Sequence, residues 1–216
     1  GRPTVRPVPS FRSAVCDIES GMSELIQVPA TVLAARIRQG EVSAREVLEA
    51  HIKRVERVNP PLKALVVERF DAARLEAEAA DARVAAASPS DALPPLLGVP
   101  FTAKEFMQVA GLPNTAGSVY RVGLTASEDA PVVTRMREAG AILLGLTNVP
   151  EGGLWMETYN AVYGRTNNPW DLKRTCGGSS GGEGALVAAG GSAIGVGADV
   201  GGSIRLPSGF CGIVGH

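Results

Sequence analysis

Cys176-Gly-Gly-Ser-Ser-Gly-Gly-Glu-Gly184 and, after an Ala/Val/Gly-rich run, Gly197-Ala-Asp-Val-Gly-Gly-Ser-Ile-Arg205 form the stretch from which the rest of the chain is read. Two serine-bearing glycine loops, at Ser179/Ser180 and at Ser203, bracket a segment of small residues. Glycine clusters admit backbone or ligand where a Cβ would clash. They also leave runs of peptide N–H groups free to converge on a developing negative charge, as acyl transfer requires. The stretch is therefore expected to supply a nucleophile, a proton relay and an oxyanion hole, with the base coming from upstream.

Upstream, Leu97-Gly-Val-Pro-Phe-Thr-Ala-Lys104-Glu105 reads as a buried strand that ends in a lysine and a glutamate. A loop around 111–118 follows, then a helix over 131–139 opened by Pro131 and stopped by Gly140. Ala141-Ile-Leu-Leu-Gly-Leu146 is a second buried strand. Residues 148–168 read as loop, with Trp155, Tyr159 and Tyr163 either as walls of a site or packed beneath it. A short helix over 183–190 and a strand over 192–196 then deliver Asp199 and the second loop. Strand–helix–strand alternation favours an α/β sheet with helices outside.

Before this core lies a helical lead-in without chemistry of its own. It comprises a helix over 30–39, a second over 44–58 opened by the capping box Ser43-Ala-Arg-Glu46 and ended by Asn59-Pro60-Pro61, a strand over 64–67 and a solvated helix over 71–87. His51, beside the apolar stripe of the second helix, reads as a half-buried structural histidine. Residues 1–21, rich in Arg, Pro and Ser, are set apart as disordered or as a gene-model extension, with the natural start near Met22. Residues 22–216 are expected to form a single domain.

The totals exclude several classes. With 216 residues and a formal net charge of −1, nothing suggests a nucleic-acid partner or an anionic membrane surface. No apolar run is long enough to span a bilayer, and the N-terminal residues lack the layout of a signal peptide. Cys16, Cys176 and Cys211 fit neither a disulfide framework nor a metal-ligand spacing, which points to a reducing, cytoplasmic setting and to no metal.

A serine nucleophile needs a base, and the chain has only two histidines, His51 and His216. Its four lysines are Lys53, Lys63, Lys104 and Lys173, of which only Lys104 follows an apolar strand. Burial there would disfavour the ammonium form and make a neutral amine available as a base. By itself Lys104 reads equally well as a strand cap in a salt bridge with Glu105. Two other readings of the glycine loops remain weaker. Gly178-Ser-Ser180-Gly-Gly182 fits the Gly-x-Ser-x-Gly turn of an α/β-hydrolase with Asp199 and His216 in order, but Thr-Cys-Gly-Gly is a poor strand to precede it. Gly195-Val-Gly197-Ala-Asp-Val-Gly201 has its third glycine one residue late for a dinucleotide loop.

Lys104, Ser179 and Ser203 taken together make the chain resemble the amidase signature family. Gly177–Gly184 and Asp199–Arg205 match its defining segment, and Gly98–Glu105 its lysine strand, with likeness over about residues 25–216. Gly182-Glu-Gly184 and the Asn167-Asn-Pro turn look most like the fatty-acid amide hydrolase branch. The resemblance implies an amidase of α/β fold, a mixed sheet flanked by helices, with the later half of the family core lying beyond this sequence. Ser203 would be the nucleophile that forms an acyl-enzyme, Ser179 a relay held in a cis peptide, and Lys104 the base. The N–H groups of Val200, Gly201, Gly202 and Ser203 would form the oxyanion hole, with Ser180, Asp199 and Arg205 in support. It implies no cofactor and a small-molecule amide substrate, and is compatible with a homodimer. A transamidating role in an aminoacyl-tRNA amidotransferase would need further protein partners, and a chain without the rest of the core would be an inert fragment.

Overall fold

The computed structural model describes residues 24–88 and 90–216. The expectation of a loose segment over 1–21 and a start at Met22 lies outside the described residues, as does Cys16.

Helix α1 (Ala30–Arg38) buries Leu33, Ala34 and Ile37 on one face. Helix α2 (Ala44–Leu62) opens on the expected capping box: the Glu46 N–H donates to Ser43 Oγ at 3.0 Å and the Ser43 N–H to Glu46 Oε2 at 2.9 Å. It does not stop at the two prolines but carries Pro60 and Pro61 in its last turn. Lys63, at φ 55°, closes it by donating its N–H to the Asn59 carbonyl at 2.6 Å, and the fully buried Leu62 anchors the turn to the core. Tertiary burial here outweighs the local preference to end a helix before proline. His51 is fully buried rather than half-buried.

Strand β1 (Leu65–Glu68) leads to α3 (Phe70–Ala86). This helix was expected to be merely solvated, but Ala73, Ala77 and Ala80 bury a narrow stripe against α1 and α2. Its Asp81 also accepts the Ala44 and Arg45 N–H groups at 2.6 and 3.1 Å, so a charge on α3 caps α2.

The core strands are β2 (Pro100–Lys104) and β3 (Ile142–Thr147), every residue of both buried, with α4 (Pro131–Glu138) between them. Within the stretch read as loop, β4 (Tyr159–Asn160) and β5 (Gly164–Arg165) pair as a two-residue antiparallel ladder, too short to leave a periodic pattern. Helix α5 (Gly181–Ala188) starts two residues before the expected boundary, and β6 (Ile194–Val196) completes a sheet of order β1-β3-β2-β6. β2 runs parallel to both β3 and β6, and β1 antiparallel to β3, so the sheet is mixed. Helix α6 (Arg205–Cys211) was not expected. Its Pro207 sits in the first turn, where no intrahelical donor is lost, and Gly212 at φ 73° ends it.

Side chains alternate across β2. Phe101 and Ala103 join Leu143, Leu146 and Val133 of α4 in one cluster. Thr102 and Lys104 point to the opposite face, towards α5. On the helical side, Leu33, Leu48 and Ile52 pack on Ile142 and Leu144. Val55, Val58 and Leu62 of α2 meet Leu186 of α5 and Cys211 of α6. The sheet and the α2–α5 contact therefore hold the end of β2 against the first glycine loop.

Candidate active site

The site begins where β2 ends. Lys104 is 2% exposed, and its Nζ donates to Ser179 Oγ at 2.7 Å. Burial lowers the Lys104 amine from 10.5 to about 8, while the Glu183 and Asp199 carboxylates pull in the other direction. The Phe106 ring centroid lies 5.5 Å from the same nitrogen. Glu105 forms no ion pair with Lys104: it accepts the Thr115 N–H at 2.5 Å and the Tyr163 hydroxyl at 3.2 Å. Its carboxyl is raised, chiefly by burial.

The Gly178–Ser179 peptide is cis. Around it the loop is clamped by the Thr158 side chain and the Asn148 backbone. Thr158 Oγ1 donates to the Gly177 carbonyl at 2.9 Å and accepts the Gly181 N–H at 3.1 Å, and the Gly182 N–H donates to the Asn148 carbonyl at 3.2 Å. A Cβ at Gly182 would stand 2.5 Å from Asn148 N, and one at Gly178 would stand 2.7 Å from the Trp155 carbonyl. These glycines thus permit two backbone segments to touch.

The second loop is organised by Asp199. Its carboxylate accepts the N–H groups of Gly202 (2.7 Å), Ile204 (3.0 Å) and Arg205 (3.1 Å), and both Nε (3.0 Å) and Nη2 (2.9 Å) of the Arg205 guanidinium. Those donors, Arg205 foremost, hold the Asp199 carboxyl far below the usual carboxylate range. Gly202, expected to offer a free N–H with Val200, Gly201 and Ser203, is therefore corrected: its donor is committed to Asp199. The other three amides donate to nothing among the described residues. Ser203 is joined to the first loop through its carbonyl, which accepts the Ser180 N–H at 3.1 Å. Its hydroxyl makes no hydrogen bond among the described residues.

Ser180 Oγ both donates to the Ala198 carbonyl and accepts the Ala198 N–H, at 3.3 Å each, so it ties one loop to the other. No strand enters Ser180, Asp199 is occupied by Arg205, and no histidine meets the Ser180 hydroxyl, which leaves an α/β-hydrolase triad without its parts. His51 lies elsewhere in the core, its Nδ1 3.2 Å from the Gly190 carbonyl.

The reading of the sequence missed three side chains here. Thr102 Oγ1 and Thr147 Oγ1 each donate to the Glu183 carboxylate at 2.7 Å. Burial raises that carboxyl from 4.5 to about 7. The signal for Thr102 was its period-two spacing from Lys104, and for Glu183 its place one helical turn beyond Ser179. A cavity of about 370 Å³ lies beside the site, between α5, β6 and α6, lined by Ser180, Glu183, Val187, Val196, Pro207 and His216. Trp155 and Tyr159 are more than half exposed, and Tyr163 is half-buried on Glu105. Among the described residues no cluster of side chains suits a metal ion, and no helix is long and apolar enough to cross a membrane.

A family model described as Amidase matches residues 46–216. The fatty-acid amide hydrolase 2-B of Danio rerio is 48% identical over 196 residues, 89% of this chain and 37% of that protein. The fatty-acid amide hydrolase 2 of Homo sapiens is 47% identical over 188 residues, 85% of this chain and 35% of that protein. Among solved structures, a fatty acid amide hydrolase superposes with a TM-score of 0.83 at 31% identity, over 88% of this chain and 33% of the other. The chain thus spans well under half the length of these relatives.

Proposed function

The chain belongs to the amidase family, on its fatty-acid amide hydrolase-like branch, and from that premise we propose that residues 22–216 form one domain that hydrolyses a small-molecule amide through an acyl-enzyme on Ser203. The observation that carries this reading is the 2.7 Å contact between the buried Lys104 amine and the Ser179 hydroxyl. With its amine lowered to about 8, the neutral, basic form of Lys104 comes within reach near neutral pH.

In the proposed cycle the neutral Lys104 amine takes the Ser179 hydroxyl proton while Ser179 takes that of Ser203. The Ser203 oxygen forms its bond to the amide carbonyl carbon, and the carbonyl π electrons move onto oxygen. The N–H groups of Val200, Gly201 and Ser203 stabilise that oxyanion, and each such donor is worth about 3–4 kcal/mol to a transition state. When the tetrahedral intermediate collapses, the C–N bond breaks and the proton returns through Ser179 to the departing nitrogen, leaving as an amine or ammonia. Water then attacks the ester by the same route, releasing the carboxylic acid and restoring Ser203. Every proton moves between Lys104, the two serines, substrate and water, so the cycle calls on no cofactor. The buried free thiols of Cys176 and Cys211 support a reducing, cytoplasmic setting.

The test is labelling with a fluorophosphonate and location of the adduct by mass spectrometry. The adduct is expected on Ser203, lost in Lys104→Ala and Ser179→Ala and only weakened in Ser180→Ala. An adduct on Ser180, or a chain that takes no label, overturns the reading.

A further inference from the structure

Glu183 is a buried charge for which the proposed cycle has no use. It lies in the first turn of α5, 5% exposed, with one carboxylate oxygen held by Thr102 and the other by Thr147. The two threonines come from adjacent strands, and Thr102 shares with Lys104 the face of β2 that looks at α5. Two hydroxyl donors only partly replace the hydration of a carboxylate, so its charge depends on what else lies near it. The nearby cation is Lys104, out of direct ion-pair contact among the described residues yet within electrostatic reach. The arrangement is a serine and a carboxylate of one glycine loop and helix facing, two residues apart on one strand, a lysine and a threonine.

We propose that Glu183 is a positioning residue whose charge, clamped by Thr102 and Thr147, sets the pH at which Lys104 gives up its proton and becomes competent as a base. The proposal rests on the reading of Lys104 as that base. The charged groups around Lys104 single out Glu183. Asp199 faces it from the loop after β6, but Arg205 and three backbone donors keep Asp199 ionised throughout the neutral range. Glu105 turns to Thr115 and Tyr163. Burial raises the Glu183 carboxyl towards the range into which burial lowers the Lys104 amine, so of the nearby carboxylates it is the one whose charge can change there. An ionised Glu183 favours the ammonium, so neutralising it frees the amine at lower pH.

The chain's four lysines make a direct test practicable: 13Cε NMR titration of labelled lysines in the full chain, with Lys104→Met to assign the resonance. In Glu183→Gln the Lys104 midpoint is expected to fall by about one pH unit, the lower end of what a nearby opposite charge produces. Thr147→Val removes one donor from the carboxylate, favours its neutral form and moves the midpoint the same way by less. It replaces one hydroxyl with a methyl and so carries the test should Glu183→Gln not fold. Lys53, Lys63 and Lys173 serve as internal controls. A midpoint that stays or rises overturns the proposal, since a merely structural Glu183 would lower stability and leave Lys104 where it is. The titration needs no turnover. If fluorophosphonate labelling of Ser203 survives Lys104→Ala, the amidase mechanism fails while the coupling of Glu183 to Lys104 is still decided.

Discussion

Lys104 Nζ and Ser179 Oγ lie 2.7 Å apart although 75 residues separate them in the chain. One is delivered by the end of a buried parallel strand and the other by a loop whose backbone is clamped to the exit of the neighbouring strand. A strand end is a rigid platform, and a loop touched by Asn148 and Thr158 has little room to move. A hydrogen bond between them is thus a property of the sheet rather than of either segment.

A base of this kind acts only when neutral, so the rate at which a fluorophosphonate labels Ser203 should rise with pH and level off above the Lys104 midpoint at about 8. Lys104→Ala should lower that rate by about 10²–10⁴-fold, the usual worth of a positioned base. Stopped-flow labelling with a fluorophosphonate across pH measures both. A flat pH profile in the unaltered chain would sink the assignment.

Asp199 gathers five donors and so shapes the loop that presents Ser203. Asp199→Ala should slow Ser203 labelling by about 10²-fold, as a misplacement of roughly 1 Å does. Arg205→Ala leaves the backbone donors in place and should cost less than a tenth of that effect. Equal losses in the two variants would show that the ion pair, rather than the backbone contacts, holds the loop.

Gly182→Ala sets a Cβ against the Asn148 backbone, 2.5 Å from its nitrogen and 2.7 Å from its oxygen. Neither atom belongs to a flexible side chain, so the helix or the strand exit must shift. The expected loss of stability is about 1–3 kcal/mol or more, read from urea denaturation. Gly201→Ala, where nothing lies within 4 Å of an added Cβ, is the control and should be near neutral.

His51 is buried as the neutral imidazole, its pKa lowered by burial from 6.5 to about 4. As pH falls through this interval the unfolded chain takes up a proton that the folded chain refuses, so stability falls with pH. The loss from this residue amounts to about 3 kcal/mol once pH is below both values. Thermal melts of the unaltered chain and of His51→Leu over this range should differ in slope, with the variant less sensitive to acid. Parallel slopes would mean that His51 is solvated in the native state.

The long, strongly patterned elements were legible. The capping box at Ser43, the proline entry to α4 and the apolar runs of β2 and β3 each carry a local physical signal: α2 and α4 start where expected and β3 is displaced by one residue, while β2 starts three residues later than the apolar run suggests. Where the reading failed, the competing force was tertiary. The α2 helix overrides Pro60 and Pro61 because Leu62 is buried beyond them. The alanine stripe of α3 was overlooked because an alanine is apolar enough to pack yet too small to stand out from charged neighbours. Helix α6 was hidden by Pro207 and Gly209, residues that suggest a loop wherever their position within a helix is not known.

By itself the sequence determined the residue types of the site and their grouping: two serine loops rich in glycine, a lysine after an apolar strand, and too few histidines for the usual base. These are local facts of composition and spacing, and local facts survive without a fold. Only the tertiary structure decided which groups touch. It put the Gly202 N–H on Asp199 instead of leaving it for an oxyanion, turned Glu105 away from Lys104, and brought Thr147 and Glu183 to Thr102, two residues before the lysine on the same strand. Those outcomes depend on how strands and helices pack at distances of a few ångströms between residues far apart in the chain. A buried charge or a spent donor has no counterpart in sequence, because burial and hydrogen bonding belong to the assembled sheet.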